Sequence, residues 1–191
     1  VCPGYDGYSM SSICSGHGTC NSNAECECVD GYVGSNCAFK CPSSLDGYTC
    51  NNHGSCYIAT VDIATVNEEN KQALNAIESE NKVEQVLFTF ESKTSNDDTD
   101  VLKYTVEKSC MRNVTGSDVS FVCAVCDCDT RGVNGLGSWT GGVCSQCAHD
   151  VYGSKCHLPC PDCGEFGVCD FGITGSGTCL CGESPFQRVT K

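Results

Sequence analysis

The spacing of the cysteines constrains this chain more than any other feature. Three stretches open alike: CPGYDGYSMSSICSGHGTC from Cys2, CPSSLDGYTCNNHGSC from Cys41 and CPDCGEFGVC from Cys160. Each begins Cys-Pro and ends in a short Cys-to-Cys loop with glycine two residues before its last cysteine, at Gly18, Gly54 and Gly167. With 21 cysteines in 191 residues, the chain lies above the ~8–10 % that marks a disulfide scaffold. A reducing cytosol would hold such residues as thiols, so an extracellular location is expected. Cysteines also make up more than a quarter of the 40 % hydrophobic content. What remains is too little for one large core, and cross-links must replace buried area.

Charge narrows the partners. The formal net charge is −13, from 24 acidic and 11 basic residues, and no Lys/Arg cluster supplies the counter-charge that a phosphate backbone or an anionic lipid surface requires. Nucleic acid and direct membrane insertion are therefore not expected. No stretch approaches the ~20 apolar residues of a membrane-spanning helix, and Val1 is not followed by a signal-peptide core. The chain reads as a mature exported product or a fragment of one.

The first copy continues as NSNAECECVDGYVGSNC, giving cysteines at 2, 14, 20, 26, 28 and 37 with a Cys-x-Cys at the fourth and fifth. A segment this short cannot bury enough apolar surface to offset its conformational entropy, so loop-closing bonds of about 2–4 kcal/mol each must restrict the unfolded chain instead. Spacing alone leaves many pairings open. The pattern resembles the epidermal-growth-factor-like (EGF-like) module, and that resemblance implies Cys2–Cys20, Cys14–Cys26 and Cys28–Cys37. In the second copy Cys41, Cys50 and Cys56 are followed, after an insertion of about 70 residues, by Cys126 and Cys128, then by Cys144, Cys147 and Cys156. This resembles the laminin-type version of the module and implies Cys41–Cys56, Cys50–Cys126, Cys128–Cys144 and Cys147–Cys156. The third copy implies Cys160–Cys169 and Cys163–Cys179. Cys181 would be its fifth cysteine, with the sixth either in sequence beyond Lys191 or in a neighbouring chain, the former being preferred. The expected organisation is module 1 at 1–39, a laminin-type module 2 at 40–158 containing an insert at 57–122, and an incomplete module 3 at 159–191.

The insert is patterned differently. YIATVDI aligns Tyr57, Ala59, Val61 and Ile63; VLFTF aligns Val86, Phe88 and Phe90; VLKYTV aligns Leu102, Tyr104 and Val106; VSFVC aligns Val119 and Phe121. These period-2 runs predict strands with one buried face. TVNEENKQALNAIESENK predicts an amphipathic helix, with Thr65 and Glu68 as a capping box and Val66, Ala73, Leu74 and Ile77 on one side. The fold expected is therefore small and disulfide-rich: tandem EGF-like modules with an inserted α+β subdomain of order β-α-β-β-β. A polar turn, KTSNDDTD, should join its second and third strands, and a Cys110–Cys123 bridge should tie its end. A unit with its own core projecting from a slender module is where a partner-binding surface is expected.

Catalytic and metal chemistry compete with these staples. Cys123, Cys126, Cys144 and Cys147 have the spacing of a four-cysteine zinc site, but the repeat already accounts for them, so no metal is expected. The Cys-x-x-Cys pairs starting at 123, 144 and 160 lack the strand-to-helix context that stabilises a thiolate. His17 and His53 precede glycine in equivalent turns and read as turn residues; His149 and His157 share no such context. No triad or carboxylate pair stands out, so neither an enzyme nor a cofactor is expected. Acidic ligands for calcium are missing before Cys41 and Cys160. Three residues separate Cys37 from Cys41, and three separate Cys156 from Cys160, which is too few for free tumbling.

Covalent glycans are expected at Asn113, in the sequon NVT, and, by the family's O-fucose pattern, at Thr19 and Ser55. Val168 stands at the equivalent position of the third copy and has no hydroxyl. The stretches GHGTC and FGITGSGTC resemble repeats of stabilins and of protist flagellar-hair (mastigoneme) proteins. The resemblance implies an extracellular structural protein, a building unit of a surface filament, appendage or matrix. The competing expectation is the ectodomain of an adhesion receptor or signalling ligand that binds through the insert. Partners are accordingly proteins, by self-association or from another extracellular species.

Overall fold

A computed structural model describes residues 2–3, 10–93, 101–130, 137–165 and 167–181. The described chain is small, disulfide-rich and made mostly of short β-sheets with little helix. In the first repeat, β1 (Gly18–Cys20) and β2 (Cys26–Cys28) form a hairpin with Gly18 opposite Cys28 and Cys20 opposite Cys26. The repeated glycine has a steric cause. A Cβ on Gly18 would lie 2.6 Å from the Glu27 carbonyl oxygen and 2.8 Å from Cys37 Sγ. A second hairpin follows, β3 (Tyr32–Val33) with β4 (Phe39–Lys40). The residues between the first two repeats are thus a strand of the first.

The second repeat begins with β5 (Gly54–Val61). After α1 (Glu68–Asn75) come β6 (Val83–Lys93), β7 (Val101–Thr115) and β8 (Asp118–Cys128). β5 pairs with β8 in the register seen in the first repeat, Gly54 opposite Cys128 and Cys56 opposite Cys126, and the ladder then continues without a break to Val61 opposite Phe121. Gly54 is required for the same reason as Gly18: a Cβ there would meet the Asp127 carbonyl and stand 2.9 Å from Cys144 Sγ. The inserted segment therefore grows out of the repeat's own hairpin. Its sheet is antiparallel with strand order β5-β8-β7-β6, and α1 covers one face.

Opposed residues in an antiparallel ladder share a face. Phe88 opposes Val106, Cys110 opposes Cys123, and Val61 opposes Phe121. Their common face carries the core of Leu74, Ile77, Val86, Phe88, Cys110, Phe121 and Cys123, with Val61, Ile63, Val66, Ala73 and Phe90 packed around it. The other face meets the first repeat through buried Phe39, and the Lys40 N–H donates to Ser109 Oγ at 2.9 Å.

Several expectations change at the ends of elements. Tyr57 is 48 % exposed and Val119 46 % exposed. Tyr57 lies past the edge of the core, and Val119 is beside the β7–β8 turn. Ile63 falls beyond β5, although it joins the cluster. The helix is only eight residues long, and its cap is Asn67, whose side chain accepts from the Asn70 N–H at 2.8 Å. Thr65 does not cap, because its hydroxyl donates to the Asp62 carbonyl at 2.8 Å in the preceding turn. Residues 94–100 of the expected polar turn lie outside the described residues.

Beyond the sheet, β9 (Trp139–Thr140) pairs with β10 (Gln146–Cys147), and β11 (Val151–Tyr152) pairs with β12 (Leu158–Pro159). β12 is the second linker, so it too completes a hairpin of the repeat before it. The third repeat has β13 (Gly167–Cys169) with β14 (Cys179–Cys181), again with glycine opposite the fifth cysteine. It docks through backbone bonds: the Gly153 N–H donates to Gly172 O at 3.0 Å and the Gly172 N–H to Val151 O at 3.2 Å.

Candidate functional site

Among the described residues the cysteines form ten disulfides. Those of the first repeat are Cys2–Cys20, Cys14–Cys26 and Cys28–Cys37. The second repeat and its insert hold Cys41–Cys56, Cys50–Cys126, Cys110–Cys123, Cys128–Cys144 and Cys147–Cys156. The third has Cys160–Cys169 and Cys163–Cys179. Cys110 and Cys123 are direct cross-strand neighbours with Cα atoms 4.1 Å apart. Cys123, Cys126, Cys144 and Cys147 thus belong to four different bridges, and none of the three Cys-x-x-Cys pairs closes on itself. Sulfurs of Cys2, Cys14 and Cys26 lie within 4.8 Å of one another, but they are parts of two adjacent disulfides, whereas a cysteine metal ligand is a thiolate. Cys181 belongs to β14; its side chain lies outside what is described.

The repeated histidines have a packing role. His17 stacks on Tyr32 with ring centroids 3.8 Å apart, and His53 on Trp139 at 3.7 Å, each nearly parallel. His149 lies exposed and tilted against Phe171 at 4.6 Å, across the contact between the second and third repeats. His157 is exposed beside β12. Thr19 and Ser55 are exposed on matching strands, opposite Glu27 and Asp127. Asn113 is half-buried on β7, opposite Ser120 and two residues from the turn that starts after Thr115.

The sheet is splayed. β8 pairs with β7 only from Cys110 to Thr115, then stays with β5, so Val101–Ser109 of β7 are laddered on the β6 side alone. A groove of about 940 Å³ lies along this part of β7, bounded by Thr105 and Glu107 of β7, Leu87 of β6, Leu45, Asp46 and Val143 among others. Leu45 projects fully from a turn closed by Gly47 N–H to Ser44 O at 2.9 Å, and Leu87 is 63 % exposed. Two disulfides fix the base of that turn, through Cys41 and Cys50. Leu45 therefore contributes little burial to the fold and leaves an apolar side chain at the rim of the groove. Sequence reading missed this groove. The one signal was Leu45, an apolar residue inside the turn sequence SSLDGY.

Lys108 is the other departure. Only 9 % exposed, it lies on the core face of β7 with Nζ 4.9 Å from the Phe90 ring centroid and 5.1 Å from that of Phe88. Burial pushes its pKa below the usual lysine value. The aromatic faces return part of the lost hydration. No ion pair reaches its ammonium among the described residues.

Among the described residues no helix is long and apolar enough to cross a membrane. No family model matches the chain, and no solved structure matches it. One similarity is with mouse scavenger receptor class F member 2, at 38 % identity over 52 residues, which cover 24 % of this chain and 6 % of that protein. The comparison and the disulfides together describe a disulfide-rich, extracellular-type chain with a short likeness to a scavenger receptor.

Proposed function

We propose that this chain is a stiff, non-enzymatic extracellular segment of EGF-like modules whose second, laminin-type module carries an inserted helix-and-sheet unit as a platform for a protein partner. The observation that supports this most strongly is the unbroken β5–β8 ladder, which runs from the cysteine-bridged hairpin of the repeat into the inserted sheet. Nothing in that path is a flexible tether. Both linkers are strands of the preceding repeat, and the third repeat is joined to the second by backbone hydrogen bonds. Such a construction holds the insert at a set distance and orientation, which suits presentation to a partner.

A second reading, a building unit of a filament or matrix, draws on the same stiffness. The net charge of −13 opposes close packing of identical copies. Sedimentation of the purified chain across a wide concentration range separates the two. A monomer that binds an extracellular partner is expected, with binding lost when the insert is replaced by a short turn joining Thr60 to Val122 and Cys123, whose partner Cys110 goes with the insert, is changed to Ser. Concentration-dependent growth into oligomers would favour the filament unit instead.

A further inference from the structure

The open edge of β7 has the chemistry of a strand-addition site. Thr89 shows which way the backbone groups point. Its N–H donates to Asn70 Oδ1 at 2.7 Å and its carbonyl accepts from Asn70 Nδ2 at 3.0 Å, so both face away from β7. Thr89 opposes Thr105, and in a pair of this kind neither residue bonds across the ladder. By the same alternation Thr105 and Glu107 direct their N–H and C=O groups away from β6, into the groove. Among the described residues none of these four groups is bonded. The outer edge of the ribbon is closed at Thr89 by the Asn70 amide, while the inner edge is left open beside apolar Leu87 and Val143.

We propose that an extended, basic segment of another protein docks here as an added strand. It would take the two free rungs at Thr105 and Glu107 and set apolar side chains against Leu45 and Leu87. An unpaired strand edge is a template for another chain, and main-chain pairing supplies the affinity in such complexes. Charge selects the occupant. Among the described residues Asp46 and Glu107 line the groove without ion pairs, against the one cation Lys40, also without one, and the chain as a whole carries −13. A second copy of the chain would bring the wrong sign; a strand alternating apolar and cationic residues brings the right one.

The inference rests on the insert being a partner platform, and its test uses a synthetic strand so that the two fail separately. The probe is an acetylated Lys-Val-Lys-Val-Lys-Val-Lys amide titrated into the purified chain, with the Glu-for-Lys peptide as control. Amide exchange of Thr105 and Glu107 is followed by NMR. The basic peptide is expected to slow both amides and the acidic one to leave them unchanged. Thr105→Pro removes one groove-facing N–H without breaking a bond to β6 and is expected to weaken binding by about tenfold. Should that variant fail to fold, Glu107→Lys, at an exposed site, is expected to weaken the basic peptide by a similar factor and to favour the acidic one. Unchanged exchange at Thr105 and Glu107 with the basic peptide, or equal protection by both peptides, would overturn the proposal. So would protection that rises with protein concentration in the absence of peptide, which would make a second copy the occupant.

Discussion

Asn70 stands in for a missing strand, and removing it should cost more than a helix-surface asparagine ordinarily does. The residue is 5 % exposed, and its carboxamide makes both bonds a neighbouring strand would make to Thr89, at 2.7 and 3.0 Å. Asn67 reaches the same carbonyl at 3.2 Å, so Asn70→Ala leaves the Thr89 carbonyl with one partner and its half-buried N–H with none. Two bonds at about 1 kcal/mol each, plus about 1 kcal/mol for an unsatisfied donor, give a loss of roughly 3 kcal/mol. Asn70→Asp sharpens the test. It keeps the acceptor for the Thr89 N–H but turns a carboxylate oxygen towards the Thr89 carbonyl. That contact raises the carboxyl pKa, so the variant regains stability as pH falls and the group becomes a donor. Urea denaturation without reductant, read by exchange of the β6 amides, measures both variants. If Asn70→Ala lies within about 0.5 kcal/mol of the parent, or if Asn70→Asp is as stable as the parent at neutral pH, the strand-mimic account is wrong.

Three further outcomes follow from the same geometry. Lys108→Met removes a buried cation and is expected to raise the stability of the inserted sheet by about 1 kcal/mol, seen as a higher urea midpoint. In the parent the lysine pKa is lowered on folding, so its penalty is complete below the folded-state pKa and fades as pH rises through it towards the unfolded value near ~10.4; the methionine variant should lack this dependence. Gly54→Ala places a methyl against Cys144 Sγ and the Asp127 carbonyl, and non-reducing peptide mapping should show Cys128–Cys144 incompletely formed, while Ala at Gly47, which strains a backbone at φ +84 but meets no atom within 4 Å, is expected to lower stability with all bridges formed. Asn113 stands at the end of a strand, and chain secreted from a glycosylating host should lose mass on N-glycan removal, with no such change in Asn113→Gln.

Much of this architecture is legible in the sequence because two periodic signals overlap little. Cysteine spacing marks the repeats, and the ten bridges coincide with the pairing implied by the family resemblance and the expected Cys110–Cys123 tie. Alternation marks the core strands, with Val86, Phe88, Val106 and Phe121 all buried. Even Lys108 is in phase with Tyr104, Val106 and Cys110; only its charge hides it. The remainder escapes for local reasons. β4 and β12 are two residues long, below the length at which alternation can be seen. Thr65 and Asn67 both suit an N-cap, and a bond from Thr65 to Asp62 decides between them. Asn70 bonds backbone, which carries no sequence signature, and the splay of β7 from β8 depends on where two ladders end.

The central claim is that insert and repeats form one stiff body through the β5–β8 ladder and the two linker strands. Residual dipolar couplings of the partly aligned chain measure this directly, since each rigid unit reports its own alignment. A single alignment tensor fitting the amides of β1–β2, β6–β7 and β13–β14 together is the predicted result. Separate tensors of different magnitude for the insert and the first repeat would show a flexible joint and contradict the account.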